Sequence, residues 1–343
     1  MKAKFYPTES KLLDLLKFGK LLIQPIEDPK EAALFLDFVK QVQEKLEPYR
    51  KSIEVFFLKD EYATQDFNQI LIHAYPLFGY HLETYIELLL NEEPKTLKSK
   101  LYEALVTSAL EKVEDHPNPI TFIQNLDLDI NYKWHLLLLL EDPKKHIKAY
   151  FELIQSIKPI FDTFYQPVEE EVIRLGNEIT YQLNHNGASY IETLSHHRLN
   201  RSILDIEQVN LFISGVFKYT VTINPKPSHL NITWGLNMEE GFMKLSQTVE
   251  NQLSERVLVF KNLGDKTRYE VIKLISQGVT SIKEIATTIG VSSATISYHM
   301  NELLNSKIVT LENQNKKFSY IVDYALLETM IEDLKTDLNF PKK

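Results

Sequence analysis

Residues 280–304, TSIKEIATTIGVSSATISYHMNELL, have the pattern of two short helices joined by a tight turn. Apolar residues recur at helical spacing on both sides of Gly290, and glycine enters the left-handed conformation of a sharp turn without steric cost. Ala286, Gly290 and Ile296 are separated by four and then six residues, as expected for the small, turn and buried positions of a helix-turn-helix unit. This stretch therefore predicts a helix-turn-helix.

The second helix of this unit has an unusual outward face. Its polar positions carry hydroxyls, amides and aromatic rings in place of the Lys/Glu mixture of an ordinary solvated helix. Such groups hydrogen-bond to base edges and phosphates, and the N–H groups at a helix N-terminus attract phosphates. A plain helical hairpin would have the same apolar spacing, but it would not favour this face. The predicted DNA-binding residues here are Ser292, Ser293, Thr295, Ser297, Tyr298, His299 and Asn301.

The flanking sequence completes a winged helix. Asp265 can cap a helix, and residues 308–322 alternate as two strands around a polar tip rich in Asn. The predicted elements are helices Leu253–Leu263 and Lys266–Ser276, the helix-turn-helix, a β-hairpin wing and a final amphipathic helix Ala325–Leu338.

Three more side chains, together with His299, have competing interpretations. Lys316 and Lys317 belong to the tip or return strand of the wing, where they are predicted to approach phosphates; the alternative is a merely solvated wing. Arg268 is a further DNA-binding candidate that either contacts phosphate or pairs with a nearby acid. His299 either contacts DNA or lies half-buried beneath the turn.

Composition limits the remaining possibilities. The net charge of −9 lies entirely in the first 249 residues, because residues 250–343 carry 12 Lys or Arg and 12 Asp or Glu. The chain has no cysteine, which excludes disulfides and thiolate metal sites. We find no catalytic motif, no phosphate-binding glycine loop, no signal peptide and no apolar run long enough to span a membrane. We therefore expect a cytoplasmic protein that is not an enzyme and has no metal site or cofactor.

The predicted fold class is mainly α (α+β), with two domains. Residues 1–245 are predicted to form a helical sensor or regulatory domain with a small antiparallel sheet near 189–236, and residues 246–343 the winged helix. The predicted strands of that sheet are Val209–Ile213, Val216–Ile223 and Leu230–Trp234.

The C-terminal residues resemble a known family. Asp265-Lys-Thr-Arg268 with its following apolar residues, the helix from Ser281 to Gly290, and Ser292–Leu303 (SSATISYHMNEL) are similar to the corresponding segments of the ArsR-type winged-helix repressors. The resemblance covers about the last 90 residues of the chain. It implies a homodimer in which the terminal helices of the domain associate.

The positions that match the family's metal-sensing sites carry other residue types in this chain. Ile282, Lys283 and Glu284 stand where some relatives place cysteines, and the final helix has Glu and Asp but no His. The resemblance therefore implies no metal site, and the signal is expected to act on the long N-terminal domain.

These observations together predict a sequence-specific DNA-binding regulator, with a repressor as the expected outcome. Its expected partners are double-stranded DNA, a second copy of the chain, and a small-molecule or protein effector of the N-terminal domain, with no membrane. Two alternatives stay open: an N-terminal enzyme with an autoregulatory winged helix, and an adaptor whose winged helix binds protein.

Overall fold

The structure is a computed structural model that describes residues 1–23, 36–58, 65–109, 118–196, 198–204, 206–226, 228–246, 250–314 and 317–340. Helices dominate it, which confirms the mainly α class. Short 3₁₀ turns lie at Glu47–Tyr49, Gln166–Val168 and Arg201–Leu204. In chain order the α-helices are α1 Pro7–Lys17, α2 Lys20–Ile23, α3 Leu36–Leu46, α4 Arg50–Phe56, α5 Phe67–Ala74, α6 Leu82–Asn91, α7 Pro94–Ser108, α8 Pro119–Asn125, α9 Ile130–Glu141, α10 Pro143–Tyr165, α11 Glu169–Asn186, α12 Ser189–Leu194, α13 Met238–Ser246, α14 Glu250–Gly264, α15 Lys266–Ser276, α16 Ile282–Ile289, α17 Ser293–Asn305 and α18 Tyr324–Asp337. The strands are β1 Lys2–Phe5, β2 Gln208–Ser214, β3 Val221–Pro225, β4 Leu230–Gly235, β5 Val309–Gln314 and β6 Lys317–Val322.

The helical bundle is built around α10, the longest helix described. Its inward face buries Ile147, Tyr150, Ile154 and Phe161 among side chains from α1 to α9. The hydroxyl of Tyr150 is not left unpaired in this core, since it donates to the Leu16 carbonyl at 2.6 Å.

The larger sheet has the strand order β1-β2-β4-β3. β1 runs parallel to β2, β2 runs parallel to β4, and β3 alone is antiparallel to its neighbour β4. The predicted antiparallel sheet is therefore wrong for two of the three pairings. There are two causes. Strand β1 was not predicted, and it pairs in parallel with β2. The loop after β2 then carries the chain to the far edge of the sheet, so that β3 lies at this edge and β4 lies between β2 and β3.

Asp14 explains why the predicted strand Val216–Ile223 begins only at Val221. The carboxylate of Asp14 accepts hydrogen bonds from the Gly215 and Val216 amides at 2.7 and 3.3 Å, and from the Ser214 hydroxyl at 2.6 Å. These backbone donors are thus satisfied by a side chain of α1, and the chain forms a loop there.

Helix α11 covers one face of this sheet closely. Gly176 makes this approach possible, because a Cβ at that position would lie 2.4 Å from the ring of Phe5 in β1. Asn184, further along α11, accepts from the Ala3 amide at 2.8 Å and donates to the Ala3 carbonyl at 3.0 Å. The Asn184 amide therefore pairs with backbone groups at the outer edge of the sheet.

A third core belongs to the C-terminal residues, from Val259 to Met330. It contacts the rest of the chain where β5 lies beside the 3₁₀ turn Arg201–Leu204. Glu255 Oε1 lies 3.2 Å from Arg198 Nη2 and 3.4 Å from Lys307 Nζ, so one carboxylate oxygen joins the region before the sheet to the start of the wing.

We expect His146 in the helical bundle to contribute to acid sensitivity. Its ring packs edge-on against Phe56 and Phe67, and burial lowers its pKa to about 4. In the unfolded chain the imidazole of His146 is protonated near pH 6.5, whereas in the folded protein it stays neutral down to about pH 4. The free energy of unfolding is therefore fully retained above pH 6.5 and decreases as the pH falls toward 4. Replacing His146 by Phe should reduce the loss of unfolding free energy between pH 7 and pH 5 by about 2 kcal/mol.

Chemical denaturation followed by tryptophan fluorescence at the two pH values measures this difference. His185→Phe, at an exposed position on α11, serves as the matched control. An equal pH dependence for wild type and His146→Phe would contradict the prediction.

Candidate nucleic-acid interface

The helix-turn-helix has the predicted form. The first helix, α16, ends at Gly290, which has φ of +82° and donates its backbone N–H to the Ala286 carbonyl at 2.8 Å. The second helix, α17, begins after Ser292, whose side chain accepts from the Thr295 amide at 3.0 Å. A side chain at residue 290 would strain this left-handed turn, which is why the sequence has glycine there.

The inward faces of the two helices are apolar and tightly buried. Ile285 and Ala286 of α16 pack with Ile296, Met300 and Leu303 of α17 in the C-terminal core. Burial of this face orients α17, because a rotation of the helix would expose these side chains to water.

The outward face of α17 carries the predicted candidates. Tyr298 is exposed, with 37% of its surface accessible, and the other candidate residues are half-buried. Ser293, Ser297 and Asn301 recur every four residues and therefore form one stripe along the helix. Ser292 and Thr295 are also engaged with one another, with their hydroxyl oxygens 2.8 Å apart.

Of the two interactions predicted for Arg268, the pairing with a nearby acid is present, and the phosphate contact stays a prediction. Its side chain is only 8% exposed and pairs with Glu302 of α17 at 3.4 Å. The same guanidinium donates to Asn262 Oδ1 of α14 and, at 3.4 Å, to the Tyr298 hydroxyl. Arg268 with Asn262, Tyr298, His299 and Glu302 is here called the Arg268 network.

The Arg268 network positions the recognition helix. Its members come from α14, α15 and α17, so a single buried cation holds three helices in register. Asn262 was not predicted as a functional residue; its only signal is an amide among the apolar side chains of α14, where it is fully buried. Arg268 thus supports the candidate DNA-binding face from beneath.

His299 is a half-buried member of this network. Arg268 Nε donates to His299 Nδ1 at 3.4 Å, which requires a ring nitrogen without a proton. Desolvation lowers the pKa of His299, Arg268 lowers it further, and Asp265 and Glu302 oppose the shift. The imidazole is therefore neutral at pH 7, with its proton on Nε2.

The wing is the two-stranded sheet of β5 and β6. Val309 pairs with Val322 at its base, and Gln314 pairs with Lys317 at its tip. Lys317 is thus the first residue of the return strand, as predicted, while Lys316 lies outside the described residues.

The described residues also bear on metal binding and on membrane insertion. No group of three or more His, Asp or Glu side chains in them is arranged to hold a metal ion. In the same parts of the chain, no helix combines the length and the apolar character needed to cross a membrane.

The three helices, the turn and the hairpin define a winged helix-turn-helix domain, and comparison with known proteins agrees. A family model described as "Helix-turn-helix domain" matches residues 263–312. The transcriptional repressor SdpR of Bacillus subtilis is 30% identical over 86 residues, which are 25% of this chain and 91% of that repressor. The arsenical resistance operon repressor of Staphylococcus aureus is 29% identical over 76 residues, which are 22% of this chain and 73% of that protein.

Through this C-terminal segment the chain belongs to the ArsR-type winged helix-turn-helix regulators, and it is a DNA-binding transcriptional regulator. The family model leaves residues 1–262 outside its match. No solved structure matches the chain.

Replacing Arg268 by Lys should loosen the packing of α14 against α17. Lysine keeps the charge but lacks the planar fork that reaches Asn262, Tyr298 and Glu302 together. We expect local opening to become easier by about 2 kcal/mol, which corresponds to roughly thirty-fold faster amide hydrogen exchange in these helices.

Hydrogen exchange followed by mass spectrometry measures this effect segment by segment. The control is Arg174→Lys, since the Arg174 side chain is 68% exposed and its ion pairs with Glu171 and Glu178 lie at the surface. Unchanged exchange in α14 and α17 of Arg268→Lys would show that the Arg268 network does not hold the helices.

Proposed function

We propose that the protein is a homodimeric repressor whose DNA affinity is set by an effector of its N-terminal domain. The observation that carries this proposal is the polar, partly exposed stripe of α17, held from below by the buried Arg268 network. Both relatives are named repressors, which supports repression as the outcome. Such a protein acts where the DNA is, so we also propose a cytoplasmic location.

In the proposed DNA complex, α17 enters the major groove. Ser293, Thr295, Ser297, Tyr298 and Asn301 are the residues proposed to face base edges and nearby phosphates. Ser292 caps the helix beside them, and His299 can offer its Nε2–H to the DNA while Nδ1 accepts from Arg268. Lys316 and Lys317 of the wing are proposed to approach phosphates.

Helix α18 supports the proposed dimer. Tyr324, Leu327, Ile331, Leu334 and Leu338 alternate at spacings of four and three residues and therefore form one apolar seam. Tyr324, Ile331 and Leu338 are 58%, 47% and 62% exposed. An apolar seam of this kind on a terminal helix favours pairing with its copy in a second chain.

Arg256 fixes α14 beside this seam, because its Nη1 lies 3.5 Å from both Asp333 and Asp337 of α18. Val257, the next residue of α14, is 57% exposed and extends the apolar surface. We therefore propose that α14 and α18 form the dimer interface, and that two copies of α17 enter successive major grooves of a palindromic site.

We propose two domains, 1–245 and 246–343. The effector is placed in the first because it carries the whole acidic excess and lies outside the family match. Effector binding would shift the population of dimers between forms with different spacing of the two recognition helices.

Selection from a random DNA pool with the purified full-length protein should enrich a palindromic sequence. Binding of that sequence in a gel-shift assay should weaken about 10- to 100-fold in the variant with both Ser297→Ala and Asn301→Ala, because each residue is proposed to contact a base edge. Thr329→Ala is the control, since this exposed hydroxyl on α18 donates to its own helix at Ala325.

The salt dependence of the same assay tests the wing. Lys317→Ala should reduce the slope of log affinity against log salt by about one. A protein that enriches no sequence and shows no salt-sensitive shift would contradict DNA recognition and favour the protein-binding adaptor.

Substituting Glu for Ile331 should dissociate the dimer. A charge in the centre of the apolar seam must be desolvated when the chains pair, so we expect monomers at micromolar concentration in native mass spectrometry. Ile173→Glu is the matched control, because Ile173 is 42% exposed on α11, away from the seam. Equal dimer content in both variants would place the interface elsewhere.

A further inference from the structure

Helix α9 is apolar on two opposite faces. Its inner face is buried in the helical bundle and consists of Tyr132, Leu136, Leu139 and Leu140. Its outer face carries Ile130, Trp134 and Leu138, which are 73%, 59% and 36% exposed and are here called the α9 stripe. A helix with apolar side chains all round is ordinarily buried, so the outer face of α9 has the composition of a surface that another chain covers.

The α9 stripe is continuous along the helix, because its members are spaced four residues apart. Together they expose roughly 300 to 400 Å² of apolar surface, which is the size of the largest patch on a typical monomer. Two such faces in contact, with the polar rim around them, would remove roughly 1,000 Å² from water, as weak and transient interfaces do. The stripe therefore suits a reversible contact between proteins.

The charges beside the α9 stripe indicate which partner fits it. Lys133 and Glu141 lie on the same flank of the stripe, four residues before and four residues after Leu137. About 12 Å of helix separates them, so they do not pair with each other. Among the described residues Glu141 has no ion pair, and Lys133 donates only to the Gln124 carbonyl of α8, at 3.0 Å.

Reversing the direction of the helix exchanges these two charges. When two α9 helices pack antiparallel about a two-fold axis beside Leu137, the same flank of each helix faces its counterpart, and each Lys133 meets the Glu141 of the other copy. Leu138 of each copy then lies close to the axis, with Trp134 beside it. Flank and stripe are thus complementary to themselves.

We propose that the α9 stripe is a self-association surface, and that its occupant is α9 of a second copy of the chain, packed antiparallel. This surface is separate from the seam on α18, so it joins the dimers proposed above into tetramers. The small area implies a dissociation constant of about 10 to 200 µM. The contact concerns assembly alone and does not depend on DNA recognition.

Sedimentation velocity of the full-length protein from about 2 to about 200 µM measures this assembly. We expect dimers at the low end and tetramers at the high end. The chain has two tryptophans, and Trp234 is only 1% exposed, so a blue shift of the fluorescence over the same range would report the covering of Trp134.

Trp134→Glu should abolish the tetramers, because the new charge would have to be desolvated in the contact. Ile173→Glu is the matched control, since Ile173 is 42% exposed on α11, and this variant should assemble as the wild type does.

Charge reversal tests the antiparallel register. Lys133→Glu or Glu141→Lys alone places like charges opposite each other at both ends of the contact and should weaken tetramer formation about tenfold. The variant with both substitutions has opposite charges in exchanged positions and should assemble as the wild type does. An equimolar mixture of the two single variants should recover in the same way. Because the two positions are too far apart to interact within one helix, such recovery can arise only between chains.

The outcomes separate this proposal from the dimer proposed through α18. Concentration-dependent assembly that is missing in the wild type, or unchanged in Trp134→Glu, would overturn the α9 contact, and so would a failure of the double variant to recover. Trp134→Glu that stays dimeric at about 200 µM supports both surfaces, whereas a monomeric Trp134→Glu supports α9 and overturns the α18 dimer. Ile331→Glu retains only the α9 contact, so it should pass from monomer to dimer over this concentration range.

Discussion

The buried guanidinium of Arg268 is the interaction on which the arrangement of the candidate DNA-binding surface depends. Its donors reach α14 and α17 from α15, and the pair with Glu302 compensates a charge that would otherwise be costly in so buried a place. The apolar core alone would fix the helices only by shape. The directional hydrogen bonds to Asn262, Tyr298 and His299 also fix how α17 is rotated about its own axis, and so fix where its outward stripe faces.

The winged helix could be predicted from the sequence because its signals are local. Gly290 at the left-handed turn and the apolar spacing of α16 and α17 act within a few residues of one another, and the structure has them in the expected places. The role of Arg268 could be predicted only as a choice between two partners, because its acid, Glu302, lies 34 positions away and on another helix.

The sheet shows where such prediction fails. β1 has only four residues, and its partner β2 begins at Gln208, so nothing near it in the sequence indicates the pairing. Likewise, nothing in the sequence around Asp14 indicates that its carboxylate accepts hydrogen bonds from the Gly215 and Val216 amides. The polar cavity between α1, α5 and the larger sheet shows the same difficulty, since its lining residues Lys17, Asn68 and Thr233 come from distant segments of the chain.

Glu255 joins the part of the chain before β2 to the start of the wing through ion pairs that are open to solvent. One oxygen of this carboxylate is shared by Arg198 and Lys307, and the side chains of Glu255, Arg198 and Lys307 are 40%, 18% and 37% exposed. Charges this accessible are screened by dissolved ions over about 8 Å at physiological ionic strength. Salt is therefore expected to act on the protein twice: it weakens the Glu255 ion pairs, and it competes with the phosphate contacts proposed for the winged helix.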